Sequence, residues 1–85
     1  MIDSSDIRKQ FPSLNRSFNN NKIIYLDGPA GTQVPQHVID GVSDYYKNSN
    51  ANVHGEFITS KETDKIMYST RTKAASLLGA ENKNC

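Results

Sequence analysis

Two short segments of this sequence contain residue types that could bind or process a small molecule. The first is a turn over residues 28–32, in which two glycines and a proline follow an apolar run and precede a helical pattern. A strand, a glycine turn and a helix in this order can offer backbone N–H groups and close approach to a ligand. The second, residues 50–54, combines two asparagines with His54, whose imidazole could stack on a ring or transfer protons.

Both segments also have a purely structural interpretation. The turn lacks the lysine and the glycine spacing of a Walker phosphate loop, and it is not a GxGxxG dinucleotide motif. Its glycines could simply supply unusual backbone dihedrals, with Thr32 capping the next helix. Asparagines favour turns, and a lone histidine is usually structural or faces solvent. Sequence chemistry by itself therefore leaves both interpretations open.

A complete active site cannot be assembled from these residues. Asp27 and Asp64 have no evident partner for acid–base work. His54 has neither a second histidine nor a paired carboxylate nearby in the sequence, so no metal site is predicted. The single cysteine, Cys85, is terminal and lacks surrounding chain that could activate it as a nucleophile. We predict no catalytic, cofactor-binding or metal-binding residue in this chain.

Hydrophobic spacing and turn formers place the elements that position these segments. The pattern predicts an N-terminal arm over residues 1–21, a strand and glycine turn over 22–33, a helix over 34–48, a loop over 49–58 and a helix over 59–79. In the helix over 34–48, Val38, Val42 and Tyr45 recur at i, i+4 and i+7 as one apolar stripe, and Pro35 fits the first turn. By itself the chain should be mostly helical with one short strand.

Local signals set the ends of these elements. In the arm, Asp3 or Ser4 should cap a short helix over residues 3–10. The strand candidate is the run over residues 22–27, rich in isoleucine and tyrosine. Thr59 and Glu62 have the spacing of a capping box at the start of the last helix, and Gly79 is suited to end it.

Composition limits what the chain can be. With 85 residues and 35% hydrophobic residues, it is at most one small domain that must borrow core from more chain or from a partner. Its net charge of +1 without charge blocks argues against nucleic-acid binding. It has no apolar run of about 18 residues and no signal-peptide core, so we predict no membrane partner and a cytoplasmic location by default.

Four motifs in a fixed order resemble one enzyme family. They are Phe-Pro-Ser-Leu at 11–14, Tyr-Leu-Asp-Gly-Pro-Ala-Gly-Thr at 25–32, Asn-Ala-Asn-Val-His at 50–54, and the helix at 59–79 with its arginine and Leu-Gly end. Together they resemble the N-terminal region of class V aminotransferases, the family that includes cysteine desulfurases and selenocysteine lyases. The sequence is most similar to the divergent branch called cysteine desulfurase-like proteins.

The resemblance implies a fold-type I α/β enzyme, a homodimer, that uses pyridoxal 5′-phosphate on an amino-acid substrate. It implies a substrate-pocket wall from Ala30, Gly31, Asn52 and His54. The family's cofactor lysine and its other cofactor contacts occur later in the chain than residue 85. We therefore expect an N-terminal fragment that contributes pocket wall and dimer contacts and is inactive alone.

Two departures from the family pattern affect the expected activity. Desulfurases usually carry arginine after this histidine and then a second histidine, where this chain has Gly55 and Ile58. The loss of a cation and of a polar ring argues against classical desulfurase activity. An alternative hypothesis, from the residues alone, is a small helical interaction module without a catalytic role, whose exposed apolar faces bind a partner.

Overall fold

The computed structural model describes residues 1–84, so Cys85 and the prediction made for it lie outside the described residues. The helices are α1 (Ser4–Lys9), α2 (Gln36–Asn48) and α3 (Ile58–Leu78), the strands are β1 (Ser17–Phe18) and β2 (Asn21–Lys22), and 3-10 turns cover Pro12–Asn15 and Gly28–Ala30. The chain divides into two compact units, Met1–Ser43 and a second that begins at Asp44. The fold of residues 1–84 is therefore mostly helical, as predicted, with a small two-stranded hairpin.

Helix α1 of the first unit is capped by Asp3, one of the two N-cap residues that the sequence predicts. The Asp3 carboxylate accepts a hydrogen bond of 2.8 Å from the backbone N–H of Ser5. This bond stabilises the charged carboxylate and lowers the pKa of Asp3. The helix ends at Lys9, and the chain turns into a 3-10 helix that begins at Pro12.

The single strand predicted over residues 22–27 is wrong. The strands form instead an antiparallel hairpin in which Ser17 pairs with Lys22 and Phe18 with Asn21. Asn19 and Asn20 make its turn with φ angles of 48° and 63°, as hairpin turns of two residues require. Residues 23–27 lie outside any strand, although the Ile23 N–H still donates to the Arg16 carbonyl at 3.1 Å, just beyond the end of the hairpin.

Helices α2 and α3 lie close to their predicted ranges but begin differently. The Pro35 carbonyl accepts from the N–H of Ile39, so Pro35 precedes α2 and does not lie in its first turn. The capping box of α3 is wrong, because Phe57 is the N-cap and makes no side-chain capping bond. Glu62 accepts a 2.8 Å bond from the Ser49 hydroxyl instead. Gly79 ends α3 with φ 67°, as predicted.

The described residues contain no fully buried hydrophobic core, although Phe11, Leu14 and Ile23 are half-buried. No hydrophobic side chain there is buried, and the two buried residues are Ser60 and Thr63, with 0% and 6% of their surface exposed. The low hydrophobic content had predicted a missing core, and the exposed apolar side chains of α2 and α3 agree with it. No helix in residues 1–84 is both long and apolar enough to cross a membrane.

Candidate functional site

The glycine turn of the first unit contains Ala30 and Gly31, two of the predicted pocket residues. The Ala30 N–H donates to the Asp27 carbonyl at 2.8 Å, and the Gly31 N–H donates to the Gly28 carbonyl at 3.1 Å. Both N–H groups therefore close the turn and are not free for a ligand, which favours the structural interpretation of these two groups over the ligand-binding one. What the turn offers is a low wall of small side chains, with Gly31 at φ 158° and ψ 120°, which residues with a Cβ rarely adopt.

A mostly apolar cavity of about 300 Å³ lies beside this turn. Gly28 and Gly31 form one side of it, and the arm contributes Ile7, Phe11 and Leu14. Tyr25 also lines the cavity, and its hydroxyl donates to the Ser13 carbonyl at 3.2 Å. An apolar group fits this cavity better than a charged one. Ala30 is not among its lining residues.

The loop of the second unit, which contains Asn52 and His54, is held by the first turns of α3. Ser60 makes the central contact: its hydroxyl accepts from the Gly55 N–H at 2.7 Å and donates to the Asn52 carbonyl at 2.5 Å. The serine is fully buried, so both bonds are shielded from water. Asn52 is thus fixed through its backbone, and the residue as a whole is exposed.

Tyr45 and Thr63 hold the start of the same loop. The Tyr45 hydroxyl donates to the Ala51 carbonyl at 3.2 Å and accepts from the Ala51 N–H at 3.4 Å. The Thr63 hydroxyl lies 3.1 Å from the Ser49 carbonyl and 3.0 Å from the Thr59 carbonyl. The hydrophobic spacing of α2 predicts that Tyr45 belongs to an apolar stripe. Its ring fits that prediction, whereas its hydroxyl forms hydrogen bonds to the backbone of the loop.

Asp64 is the partner that the sequence did not reveal for His54. Its two carboxylate oxygens lie 3.1 Å and 3.2 Å from the backbone nitrogen of His54, and Oδ1 lies 3.3 Å from the imidazole Nδ1. The His54 side chain remains 86% exposed. The expectation that neither residue has a paired group is therefore wrong. Ser60, Thr63 and Asp64 are spaced i, i+3 and i+4 and therefore share one face of α3. This spacing of polar residues is the sequence signal that could have identified them as the group that holds the loop.

Beside His54 lies a second cavity, of about 600 Å³, with mixed polarity. The α3 residues Met67, Tyr68 and Arg71 line it together with Lys83. The Lys83 ammonium lies 3.6 Å from the centre of the Tyr68 ring, a cation–π contact. The Asp64 carboxylate also lines this cavity, so its two cations and one carboxylate suit a ligand that carries both a carboxylate and a cationic group.

Gly55 is required by space and not by its backbone angles. A Cβ at this position would lie 2.5 Å from the Cε1 of Phe57 and 2.9 Å from the hydroxyl of Ser60. Contacts this short do not occur at real Cβ atoms. The residue that replaces the family's usual arginine is thus built into the packing of the loop.

The lysines with defined contacts do not suit the covalent cofactor bond implied by the resemblance. A Schiff-base amine must lose its proton, which needs burial or a neighbouring cation. Lys9 and Lys61 are 75% and 57% exposed, and each pairs with a carboxylate. The Lys83 ammonium is placed on an aromatic ring. These three lysines therefore do not fit the covalent bond to the cofactor. Residues 1–84 also contain no cluster of side chains that could hold a metal ion.

The four predicted pocket residues fall into two pairs. Ala30 and Gly31 are adjacent in the turn of the first unit, and Asn52 and His54 share the loop of the second. The structure defines the surroundings of each pair separately. Their common role in one pocket remains a prediction.

Comparison with known proteins gives the family. The model of the family described as "Aminotransferase class-V" matches residues 24–85. A probable cysteine desulfurase of Streptomyces coelicolor is 36% identical over 86 residues, 99% of this chain and 21% of the relative. One of Vibrio cholerae is 41% identical over 94% of this chain and 20% of the relative, and one of Borreliella burgdorferi is 52% identical over 56% and 11%.

These matches confirm the resemblance and define its extent. The chain spans about a fifth of the length of the curated relatives that it matches along almost its whole length. It corresponds to the N-terminal part of those proteins. Members of the matched family depend on pyridoxal 5′-phosphate. The chain belongs to the class V aminotransferase family.

Proposed function

We propose that this chain is the N-terminal segment of a fold-type I, pyridoxal-phosphate-dependent enzyme that acts on an amino-acid substrate. In this proposal Ala30, Gly31, Asn52 and His54 form part of the substrate-pocket wall. The observation that carries the proposal is the loop of residues 50–55, whose backbone is fixed by buried Ser60 while the imidazole of His54 stays exposed. A polar side chain on a fixed backbone is what a binding site needs.

The chemistry of an amino-acid substrate fits the groups that this loop presents. The substrate carries a carboxylate and an amine, which need hydrogen-bond donors and acceptors at fixed positions. The amide of Asn52 and the imidazole of His54 provide both kinds of group. When bound, the cofactor supplies the electron sink of the reaction, and the role of this segment is to bind and orient.

The exposed apolar side chains of α2 and α3 support a role in assembly. Val38, Val42 and Ile66 are 42%, 53% and 46% exposed, although their spacing is that of helix faces which pack. In the proposal these faces contact the remainder of a longer chain and the second subunit of a homodimer. Isolated from both, the segment is expected to be inactive.

The test of the proposed function uses the full-length protein that contains this segment. Each of His54→Ala and Asn52→Ala should lower kcat/KM for the preferred amino acid by about 10–100-fold, the effect of losing a hydrogen bond to a charged group. His37→Ala, at an exposed position of α2, is the matched control and should change kcat/KM little. Unchanged kcat/KM in both pocket variants, or a protein that does not bind pyridoxal phosphate, would contradict the proposal.

A second prediction concerns the 85-residue chain mixed with pyridoxal phosphate. We expect no covalent cofactor–lysine adduct, because Lys9 and Lys61 are exposed and paired with carboxylates. The measurement is visible absorbance after dialysis, followed by reduction with borohydride and peptide mapping by mass spectrometry. A stoichiometric adduct at one lysine would show the prediction to be wrong, whereas scattered substoichiometric labelling would not.

A third prediction concerns Ser60. Replacement by alanine leaves the Gly55 N–H and the Asn52 carbonyl without their shared partner, so Ser60→Ala should destabilise the loop by about 1–3 kcal/mol. Hydrogen exchange of the Gly55 amide in the full-length protein measures this locally. Ser69→Ala, at an exposed position of the same helix, is the control. Equal exchange rates in the two variants would mean that Ser60 does not hold the loop.

A further inference from the structure

One carboxylate contacts both the backbone and the ring of the same histidine. Asp64 accepts from the His54 N–H with both oxygens, at 3.1 Å and 3.2 Å, and its Oδ1 also lies 3.3 Å from Nδ1. Asp64 is on α3, two residues after Glu62, and its side chain is 34% exposed. The contact therefore attaches His54, a candidate pocket residue, to the long helix α3.

The backbone of His54 shows why such a contact is needed. Its φ is +65°, in the left-handed region that residues other than glycine adopt only at a cost in backbone strain. The hydrogen bonds from Asp64 to the N–H of this residue stabilise that conformation. Without them the chain at position 54 would be free to return to a more favourable backbone region, and the imidazole would move with it.

The ring contact has a chemical consequence that a purely structural contact would lack. An ionised carboxylate only accepts hydrogen bonds, so with Oδ1 at 3.3 Å a proton on Nδ1 is favoured over a lone pair there. In the neutral ring the lone pair is then on Nε2, because the bond made by one ring nitrogen sets the state of the other. The His54 ring also lines the cavity that contains Tyr68, Arg71 and Lys83.

From this geometry we infer that Asp64 is a positioning residue for substrate binding. It fixes the backbone of His54 and holds its imidazole in the Nδ1–H tautomer, which keeps Nε2 as a hydrogen-bond acceptor for a donor group of the substrate. The amine of an amino acid is such a donor. The inference rests on the proposed function for its consequence in catalysis, whereas the preferred tautomer rests on the short distance between Oδ1 and Nδ1.

The experiment uses the full-length protein labelled with 15N-histidine, at a pH where titration of the ring shifts shows the imidazole to be neutral. His54→Gln identifies the His54 signals. In the parent protein we expect the shift of a protonated Nδ1 and of an unprotonated Nε2. In Asp64→Asn we expect the proton to be shared with, or transferred to, Nε2, because the amide no longer demands a donor from the ring.

Kinetics provide the second measurement. Asp64→Asn should raise KM for the amino-acid substrate by about tenfold and change kcat less, as expected when a hydrogen bond to a charged group is lost. Asp64→Glu, which keeps the carboxylate, should restore part of the loss. Glu62→Gln is the matched control, because Glu62 lies in the same turn of α3 and contacts Ser49 but not His54.

The outcomes separate this inference from the proposed function. A His54 ring protonated at Nε2 in the parent protein, or 15N shifts that Asp64→Asn leaves unchanged, would overturn the inference even in an active enzyme. A change of tautomer with the KM effect supports it. If the full-length protein binds neither cofactor nor amino acid, the proposed function fails, and the 15N shifts still decide the role of Asp64 toward His54.

Discussion

A dilute, monomeric sample of the 85-residue chain will show no cooperative thermal unfolding transition. The reason is the missing hydrophobic term in its stability. A fully buried valine, leucine or phenylalanine contributes about 1.5–3 kcal/mol, and a folded domain is stable by only about 5–15 kcal/mol. Among residues 1–84 no hydrophobic side chain is buried.

Polar contacts cannot replace this term. The buried side chains are those of Ser60 and Thr63, and a hydrogen bond contributes only about 0.5–1.5 kcal/mol net. The measurement is circular dichroism against temperature at several concentrations, with light scattering to define the mass. Self-associated samples are expected at high concentration, because exposed apolar faces attract one another. A sharp transition in a sample shown to be monomeric would contradict the prediction.

The second large effect is expected at Gly55 in the full-length enzyme. We predict that the protein releases sulfide from cysteine at well below about 1 per second, a low rate for an enzyme. We also predict that Gly55→Arg, which restores the residue usual in desulfurases, does not raise this rate. The Cβ of any side chain here would lie 2.5 Å from the Phe57 ring and 2.9 Å from the Ser60 hydroxyl.

The two clashes differ in how they could be relieved. The Phe57 ring is 57% exposed and can rotate away, but the Ser60 hydroxyl is buried and already bonded to Gly55 and Asn52. The double variant Gly55→Arg/Phe57→Ala should therefore remain as slow as Gly55→Arg. Relief of the second clash would require Ser60 to move, and the loop would lose its attachment.

Stability measurements provide the control for this prediction. Gly55→Ala should destabilise the full-length protein by about 1–3 kcal/mol, as overpacking does. Sulfide production by the parent enzyme at an ordinary enzymatic rate would show that Gly55 does not limit desulfurase chemistry.

The elements that follow from local rules could be predicted from the sequence. The spacing of Val38, Val42 and Tyr45 indicated α2, and Gly79 marked the end of α3. The Asp3 cap depends on a hydrogen bond to Ser5, two residues later, so both partners lie within one short stretch of sequence and the cap can be predicted from it. The family followed from ordered motifs, and the comparisons confirm it.

The predictions that were wrong depended on partners that a pattern does not specify. Glu62 has the spacing of a capping box, but Ser49 competes for its carboxylate, and helix α3 begins one residue earlier than predicted. The apolar run after Lys22 has strand-forming residues and no neighbouring strand. For the same reason Asp64 looked unpaired, since its partner is ten residues away in a loop without a repeating pattern.

The short range of the contacts around the second-unit loop has a consequence for the order of folding. Ser60 reaches residues five and eight positions earlier, and the longest of these bonds, from Thr63 to Tyr45, spans 18 positions. Short separations cost little loop-closure entropy and form fast. We therefore expect this loop to assemble on the nascent chain as soon as the start of α3 has left the ribosome, before any distant segment can pack against it.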